Sequence, residues 1–319
     1  VNGELRVQVR EIRSLAPDIK EYCLARMGGG ELPAFSAGSH ILVSLPVAGG
    51  RSHLNAYSLM GDPLERDSYR IAVRRMEPSR GGSQFLHDSA KVGLELAISH
   101  PVNLFSIQRA GRKHLLLAGG IGVTPILAQA RQLAAAGADF EVHYAFRNPE
   151  QGAFTGLFKE LAGERAHFYI DSKGEAIPFA KLFADQPLGT HAYVCGPDGM
   201  RLAAFKAGRE AGWPASHLHS EQFLAPKKGS AFTVLLKRSN LELTVPPDMS
   251  ILEAVEQAGV GAPYLCRGGA CGQCECEVLE ADGTIGHRDV FLSEIEKSEG
   301  RKMMICVSRL EGERLVLNL

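Results

Sequence analysis

Hydrophobic and polar positions change their period twice along the chain. Up to about residue 107, short apolar or alternating runs recur at Leu5-Val7-Val9, Ile19 to Leu24, Ile41 to Leu45, Tyr57 to Leu59, Tyr69 to Arg74 and Leu94 to Ile98. Gly and Pro punctuate them at Gly28-Gly29-Gly30, Pro46, Gly49-Gly50 and Gly61-Asp62-Pro63. Closely spaced strands of this kind predict an antiparallel β-barrel over 1–107. From 108 to about 226, strand-like runs alternate with helical ones. His114 to Ala118, Phe140 to Phe146, Phe168 to Ile170 and His191 to Val194 read as strands. Thr124 to Ala136, Phe154 to Leu161, Phe179 to Phe183 and Met200 to Ala211 read as helices. Pro125 sits in a first turn, where its missing N–H costs nothing. The alternation predicts a parallel sheet with helices on both faces, binding its ligand at the carboxyl ends of the strands. The loops there are Gly119 to Thr124, Asp171-Ser172 and Cys195-Gly196-Pro197.

A third pattern follows Ala225-Pro226-Lys227-Lys228-Gly229-Ser230, which reads as a linker. Within 227–319, Phe232 to Lys237 and Leu241 to Val245 form a predicted hairpin turning at Ser239-Asn240. Ser250 and Glu253 make a capping box for a helix whose apolar face is Ile251, Leu252, Val255 and Ala258. Met303 to Val307 and Leu315 to Leu319 read as closing strands.

Composition narrows the picture modestly. A chain of 319 residues suggests two or three domains. Its formal charge of -1 points neither to nucleic acid nor to an anionic membrane. No apolar run is long enough to span a bilayer, and residues 1–10 alternate like a strand rather than a leader. There are 7 cysteines.

The cysteines carry the sharpest chemistry. Cys266-Arg-Gly-Gly-Ala-Cys271-Gly-Gln-Cys274, with Cys306 far downstream, is C-x4-C-x2-C…C, the spacing of a plant-type [2Fe–2S] ferredoxin. Each iron needs two thiolates, so three cysteines share one loop and the fourth is expected from a distant strand. Gly268, Gly269 and Gly272 let the loop turn tightly and aim N–H groups at sulfur. The competing reading is a zinc knuckle, but zinc sites usually show two C-x2-C pairs or Cys/His pairs. Cys23, Cys195 and Cys276 then remain as reduced thiols, which suits a reducing cytoplasm. Cys276 is read as a non-ligand, because it lies too close to Cys274 to replace a separate strand.

Other motifs are individually weaker. Asn55-Ala56-Tyr57-Ser58 puts an aromatic and a hydroxyl on one strand. Arg80-Gly81-Gly82-Ser83 opens a short helical run, Gln84 to His87, and makes an anion site or a plain turn. The glycines Gly120 and Gly122 lack the third glycine of the dinucleotide fingerprint. Asp171 ends a strand where an acidic residue can accept hydrogen bonds from an adenosine ribose, or it simply forms a turn.

Taken in order, these stretches make the chain resemble the phthalate dioxygenase reductase family, the class IA reductases of Rieske non-haem iron oxygenases. The resemblance covers essentially the whole chain. It rests on Tyr57-Ser58, Arg80-Gly81-Gly82-Ser83, Gly119-Gly120-Ile121-Gly122-Val123-Thr124-Pro125, Cys195-Gly196-Pro197, Glu221-Gln222-Phe223 and the cysteine run. It implies FMN on the barrel, NADH on the α/β domain and a β-grasp ferredoxin domain holding [2Fe–2S]. Tyr57 would then pack on the flavin and Ser58 approach its N5. Ala72, Val73 and Arg74 would run beside the ring, with Gly81, Gly82 and Ser83 at the phosphate, joined by Arg80, Asn55 and Ala56. Gly120, Gly122, Pro125, Cys195 and Gly196 would meet the nicotinamide cofactor, Thr124 would lie near both cofactors, and Phe223 would meet the flavin. Ser58, Thr124, Cys195 and Glu221 would surround hydride transfer. Without the resemblance, Cys195 reads as a buried thiol, Phe223 as linker packing and Glu221 as a solvated charge. Asn55 departs from the family pattern Arg-x-Tyr-Ser, and with it goes the cation that faces the phosphate.

The implied chemistry is coherent. NADH delivers two electrons as a hydride, a [2Fe–2S] cluster takes one, and a flavin converts between them. The expected partner is a separate terminal oxygenase in aromatic hydrocarbon catabolism, and the chain is expected as a monomer. A cytochrome P450 or diiron monooxygenase is the alternative partner, and an electron carrier without turnover the alternative class. No 2-His-1-carboxylate triad is recognisable, so oxygen chemistry is expected elsewhere.

Overall fold

The structure is a computed structural model. It describes residues 4–47, 51–77, 79–223 and 228–319, so Gly49-Gly50 and the first half of the linker, 225–227, lie outside the described residues. The chain forms two compact units, Val1–Glu221 and Gln222–Leu319.

The first unit opens with strands β1 (Leu5–Ala16), β2 (Ile19–Arg26), β3 (Ser39–Val47), β4 (Arg51–Ser58) and β5 (Ser68–Arg74). Helix α1 (Gly82–Asp88), β6 (Glu95–Ile98) and β7 (Val102–Asn103) complete this part. The strands pair in the order β4-β3-β6-β1-β2-β5, all antiparallel, with β7 on β3. β4 and β5, at the two ends of that order, come close to one another. Alternation does what period two demands. Val7, Val9, Tyr22, Leu24, Ile41, Val43, Leu45, Ile71 and Val73 fill the interior.

A parallel sheet follows, built from β8 (Lys113–Gly119), β9 (Phe140–Phe146), β10 (Ala166–Ile170), β11 (Thr190–Cys195) and β12 (Leu218–Glu221) in the order β10-β9-β8-β11-β12. Helices α2 (Val123–Ala135), α3 (Thr155–Ala162), α4 (Phe179–Ala184) and α5 (Asp198–Glu210) cover it. β8 shows why both faces are apolar. Leu116 and Ala118 pack with Ile126, Leu127 and Phe158 of α2 and α3. Leu115 and Leu117 pack with Leu182, Phe183 and Ala204 of α4 and α5. The α2 core also takes in Ile19, Met60, Ala72 and Phe105. Gln129 Nε2 donates to the Phe105 carbonyl at 2.8 Å, and Gln132 Oε1 accepts from Ala37 N at 2.9 Å. The two sheets of this unit are thus bolted together through α2.

The second unit contains β13 (Phe232–Leu236), β14 (Leu241–Val245), α6 (Ile251–Gln257), β15 (Glu275–Ala281), β16 (Thr284–Gly286), α7 (Glu294–Glu299), β17 (Lys302–Met304), β18 (Arg309–Glu311) and β19 (Arg314–Leu317). The mixed sheet runs β14-β13-β19-β15-β17, with β16 and β18 as a separate pair. Ile251, Leu252 and Val255 of α6 pack among Val234, Leu236, Leu315 and Leu317, the arrangement of a β-grasp. The Ser250–Glu253 capping box is present.

Some elements differ from the sequence reading. The strand expected over Met303 to Val307 stops at Met304. Val307 N and Ser308 N both donate to the Met304 carbonyl, at 3.2 and 2.9 Å, so Cys306 sits in a turn. An apolar run buried on every side has no period to separate turn from strand. The tight loop expected at Gly119 to Gly122 takes the form of a 3-10 turn, Gly120–Gly122, leading directly into α2. β12 was not anticipated, because His219, Ser220 and Glu221 leave it only Leu218 as an apolar residue, and β15 was not, because Glu275, Glu277 and Glu280 interrupt its apolar residues.

Candidate functional site

Three groups of predicted residues are brought together, two in the first unit and one in the second. On β4, the period of two places His53, Asn55 and Tyr57 on one face. Gly82 abuts this face: a Cβ there would collide with Asn55 Nδ2 and Leu45. The strand and the Arg80–Ser83 turn therefore meet at van der Waals distance, and a larger residue at 82 would have to push the Asn55 amide aside. Arg80 Nη2 lies 3.1 Å from His53 Nδ1. Ser83 Oγ accepts from Met76 N at 3.3 Å and faces Ser79 Oγ at 3.2 Å. A guanidinium, an imidazole, an amide and a hydroxyl thus gather around Gly81-Gly82, a donor set suited to a phosphate. His53 was missed by the sequence reading. Its only signal was its place two residues before Asn55 on the same strand face.

Tyr57 packs against the barrel core, and burial pushes its hydroxyl up to about 12. Ala72 belongs to the core shared with α2, whereas Val73 points into the barrel interior. A ligand outside the barrel would therefore meet Val73 only through its backbone. Arg74 Nε donates to Asp18 Oδ2 at 2.7 Å.

The carboxyl end of the parallel sheet forms the second group. Parallel register sets Cys195, at the end of β11, beside Glu221, at the end of β12. Ser58 Oγ donates to Glu221 Oε2 at 3.1 Å, bringing β4 to the same point. Burial pushes the Glu221 carboxyl up to about 7, against the opposing hydrogen bond from Ser58. Burial, reinforced by the Glu221 charge, also raises the Cys195 thiol. A Cβ on Gly122 would strike the Cys195 carbonyl, and a Cβ on Gly196 would come within 3.0 Å of the Gly119 Cα. These glycines let the β8 and β11 loops touch. Thr124 is buried and donates its hydroxyl to the Ile121 carbonyl at 3.1 Å, with Pro125 beside it in α2.

A cavity of about 260 Å³ opens at this end, lined by Gly120, Arg74, Asp171, Arg147, Phe146 and Pro197 among others. Asp171 starts a 3-10 turn directly after β10. Arg147, at the end of β9, was not singled out from sequence, since a lone arginine after a strand carries no signature. Phe223 is 50 % exposed and immediately precedes residues outside the description.

The third group is the cysteine loop. Gly268 N and Ala270 N donate to Cys266 Sγ at 3.3 and 3.4 Å. The four thiols fall into two pairs. A hydrogen bond from Cys271 lowers the Cys266 thiol and raises that of Cys271. A second one, between Cys274 and Cys306, lowers Cys274 and raises Cys306. Two close thiol pairs are what two irons with two thiolates each require, so the residues fit the cluster. Gly269 and Gly272 have φ of +70° and +76° and stand against Val307 and the Phe291 ring. Cys276 is buried on β15 in the apolar core, and burial pushes its thiol up to about 11.

Comparison with known proteins shows the family. The 2Fe-2S iron-sulfur cluster binding domain family matches residues 234–311. A dimethylamine monooxygenase subunit DmmA-like N-terminal domain matches residues 98–218. The carnitine monooxygenase reductase subunit of Acinetobacter pittii is 42% identical over 310 residues, covering 97% of this chain and 100% of its own. The heme-dependent oxidative N-demethylase beta subunit of Ectopseudomonas mendocina is 44% identical over 315 residues, 99% of either chain. A vanillate O-demethylase oxidoreductase of Pseudomonas sp. is 37% identical over 322 residues, 99% of this chain and 100% of its own. The solved structure of phthalate dioxygenase reductase, described as modular for electron transfer from pyridine nucleotides to [2Fe-2S], superposes with a TM-score of 0.88 at 34% identity, covering 100% of this chain and 98% of its own. Among the described residues, no helix is long and apolar enough to cross a membrane.

Proposed function

We infer the function from one premise: the chain belongs to the family of oxygenase reductase subunits that includes phthalate dioxygenase reductase. It is an oxidoreductase with a 2Fe-2S domain, and its proposed task is to carry electrons from NADH through FMN to the cluster and on to a separate terminal oxygenase. The observation that carries this reading is the coexistence of the Ser58–Glu221–Cys195 juncture with two close thiol pairs. When bound, a flavin supplies the exchange between a two-electron hydride and single electrons.

The chain's own residues set the stage. Arg80, His53, Asn55 and Ser83 would hold the flavin phosphate, with Tyr57 beside the ring and Ser58 at its reacting edge. Gly120, Gly122 and Gly196 keep the loop surface low, so a nicotinamide can lie close to Cys195. Thr124 is locked by its own turn and orients the start of α2. Glu221, held by Ser58, can keep or release a proton near neutrality beside the reacting edge. Asp171 would accept the ribose hydroxyls, and Phe223 would cover the flavin. Cys266 and Cys271 would hold one iron, and Cys274 and Cys306 the other, with the Gly268 and Ala270 amides donating to sulfur. In this reading 1–107 binds flavin, 108–226 nucleotide and 227–319 the cluster. The working form is a monomer in the reducing cytoplasm, which suits the three thiols outside the cluster.

An aromatic-ring oxygenase was the expected partner. A second reading has a specific support: relatives at 41–44% identity are named for carnitine monooxygenase and an N-demethylase, whereas those named for ring compounds, a tetrachlorobenzoquinone reductase and the vanillate reductases among them, stand at 36–39%. An oxygenase acting on an alkylated amine fits that order. The test is Cys271→Ser assayed with NADH and a dye, then with cytochrome c or an oxygenase. Dye reduction should persist and reduction of the one-electron protein acceptor collapse. Normal oxygenase turnover by the variant would refute the route.

A further inference from the structure

The face of the parallel sheet turned toward α4 and α5 carries a cluster that the electron route does not use. Val142 and Tyr144 of β9 point into the α2 core, so Glu141 and His143 stand together on the opposite face. Parallel register sets His167 of β10 directly beside His143. The two imidazoles stack with centroids 4.6 Å apart. One ligand atom from each of Glu141, His143 and His167 lies within 4.8 Å of the others.

The ring of His143 is oriented. Its Nδ1 lies 2.9 Å from the Tyr169 hydroxyl. Its Nε2 is buried and has no hydrogen-bond partner among the described residues. That nitrogen is 3.7 Å from Glu141 Oε1, too far for a hydrogen bond. A buried imidazole nitrogen without a partner is costly unless something fills its lone pair. The Tyr169 hydroxyl can accept from Nδ1–H or donate to Nδ1. A metal at Nε2 would select the first arrangement, in which the Nε2 lone pair faces the space between Glu141 and His167, whereas without a metal Nε2–H can face the carboxylate. Glu141 is held in turn by Gln186 Nε2, 2.6 Å from Oε1, and by Lys113 Nζ, 3.3 Å from Oε2.

We propose that Glu141, His143 and His167 form a binding site for a divalent first-row transition metal of the zinc type. Two imidazoles and a carboxylate are a ligand set zinc accepts, with water in the fourth position. The 4.8 Å spread closes by small side-chain rotations toward ligand distances of about 2 Å. The Lys113 ammonium opposes a second cation and sets the affinity below that of an all-thiolate site. The site lies roughly 10 Å along β9 from Phe146, which lines the nucleotide cavity, so it does not share that cavity. Its role is bracing. β10 is an edge strand of the sheet and carries Asp171 at its end, and the metal ties it to β9.

The test uses the full-length holoprotein, whose cluster cysteines are occupied by iron, dialysed to equilibrium against zinc chloride. Bound zinc and the unfolding temperature are both read. About one zinc per chain is expected, with a higher unfolding temperature. His167→Ala and Glu141→Gln should each weaken binding at least tenfold, and Tyr169→Phe, which removes the orienting group, about ten- to a hundredfold. NADH-to-dye activity of zinc-free His167→Ala should match wild type, showing a folded enzyme. His219→Ala alters the separate stack of His191, His217 and His219 and should leave zinc binding unchanged. The proposal is overturned if wild type takes up no zinc, if His167→Ala and Glu141→Gln bind it like wild type, or if only His219→Ala loses it.

Discussion

Ser58 on β4 donates its hydroxyl proton to Glu221 at the end of β12, 3.1 Å away, although 163 positions separate them. One hydrogen bond therefore joins the antiparallel sheet to the edge of the parallel one, at the point where Cys195 also ends its strand. Function and stability meet at this carboxyl group.

The first prediction follows from its titration. Burial raises the Glu221 carboxyl from 4.5 to about 7. A group raised in the folded state favours folding most when protonated, so its contribution is full below about pH 4.5 and is lost as pH rises through 7. The raise corresponds to at most about 3 kcal/mol, and to less in so far as solvent reaches this half-buried side chain. Unfolding temperatures of wild type and Glu221→Gln should be measured from pH 4 to 8. Wild type should lose ground to the variant across that window. Parallel curves would show that the carboxyl is not perturbed by folding.

Nucleotide choice gives the second. Asp171 and Arg147 line the same cavity with opposite charges. An acidic group accepts ribose hydroxyls and repels a 2′-phosphate, while an arginine attracts one. Asp171→Ala should lower the NADH-over-NADPH preference in kcat/KM by about tenfold, since each 1.4 kcal/mol is a factor of ten. Arg147→Ala in that background should restore part of it. An unchanged ratio in Asp171→Ala would mean that this aspartate only shapes the turn.

The third concerns Asn55. Its amide lies against Gly82, beside Arg80 and His53. A neutral amide adds no charge to a phosphate site, and a hydrogen bond to a charged group is worth about 1.5–3 kcal/mol. Arg80 offsets part of the missing cation. Asn55→Arg should tighten FMN by about tenfold, and Gly82→Ala, which overpacks the contact, should weaken it by about 1–3 kcal/mol. Fluorescence titration of the apoprotein reads both. Equal dissociation constants for wild type and Asn55→Arg would remove position 55 from the phosphate site.

Much of this was legible in the sequence, for identifiable reasons. The cluster loop announces itself because cysteine spacing is fixed by iron chemistry rather than by packing. β8 was legible as a continuous apolar run, which suits a strand buried on both faces, and β9 as an alternation of apolar residues with Glu141 and His143. β12 was not, since Leu218-His-Ser-Glu forms the sheet's edge and only Leu218 is fully buried. The Ser58–Glu221 bond could not be read from the residues themselves, because its partners are distant and neither residue type demands the other; only the family resemblance set both beside hydride transfer. His53 hid behind Asn55 and Tyr57, although its place on their strand face could have revealed it. Cys306 was placed on a strand because Ile305 and Val307 are apolar, and a buried turn uses the same residues as a strand.

The central claim is that one chain holds a two-electron and a one-electron carrier in series. Titration of the purified holoprotein with NADH in the absence of air tests it most directly, followed by visible absorbance and by the electron paramagnetic signal of the reduced cluster. A flavin that takes two electrons and a cluster that takes one predict an end point near one and a half NADH per chain, with cluster reduction visible. Cys271→Ser should end near one NADH, without the cluster signal. Wild type ending near one NADH with an oxidised cluster would contradict the account.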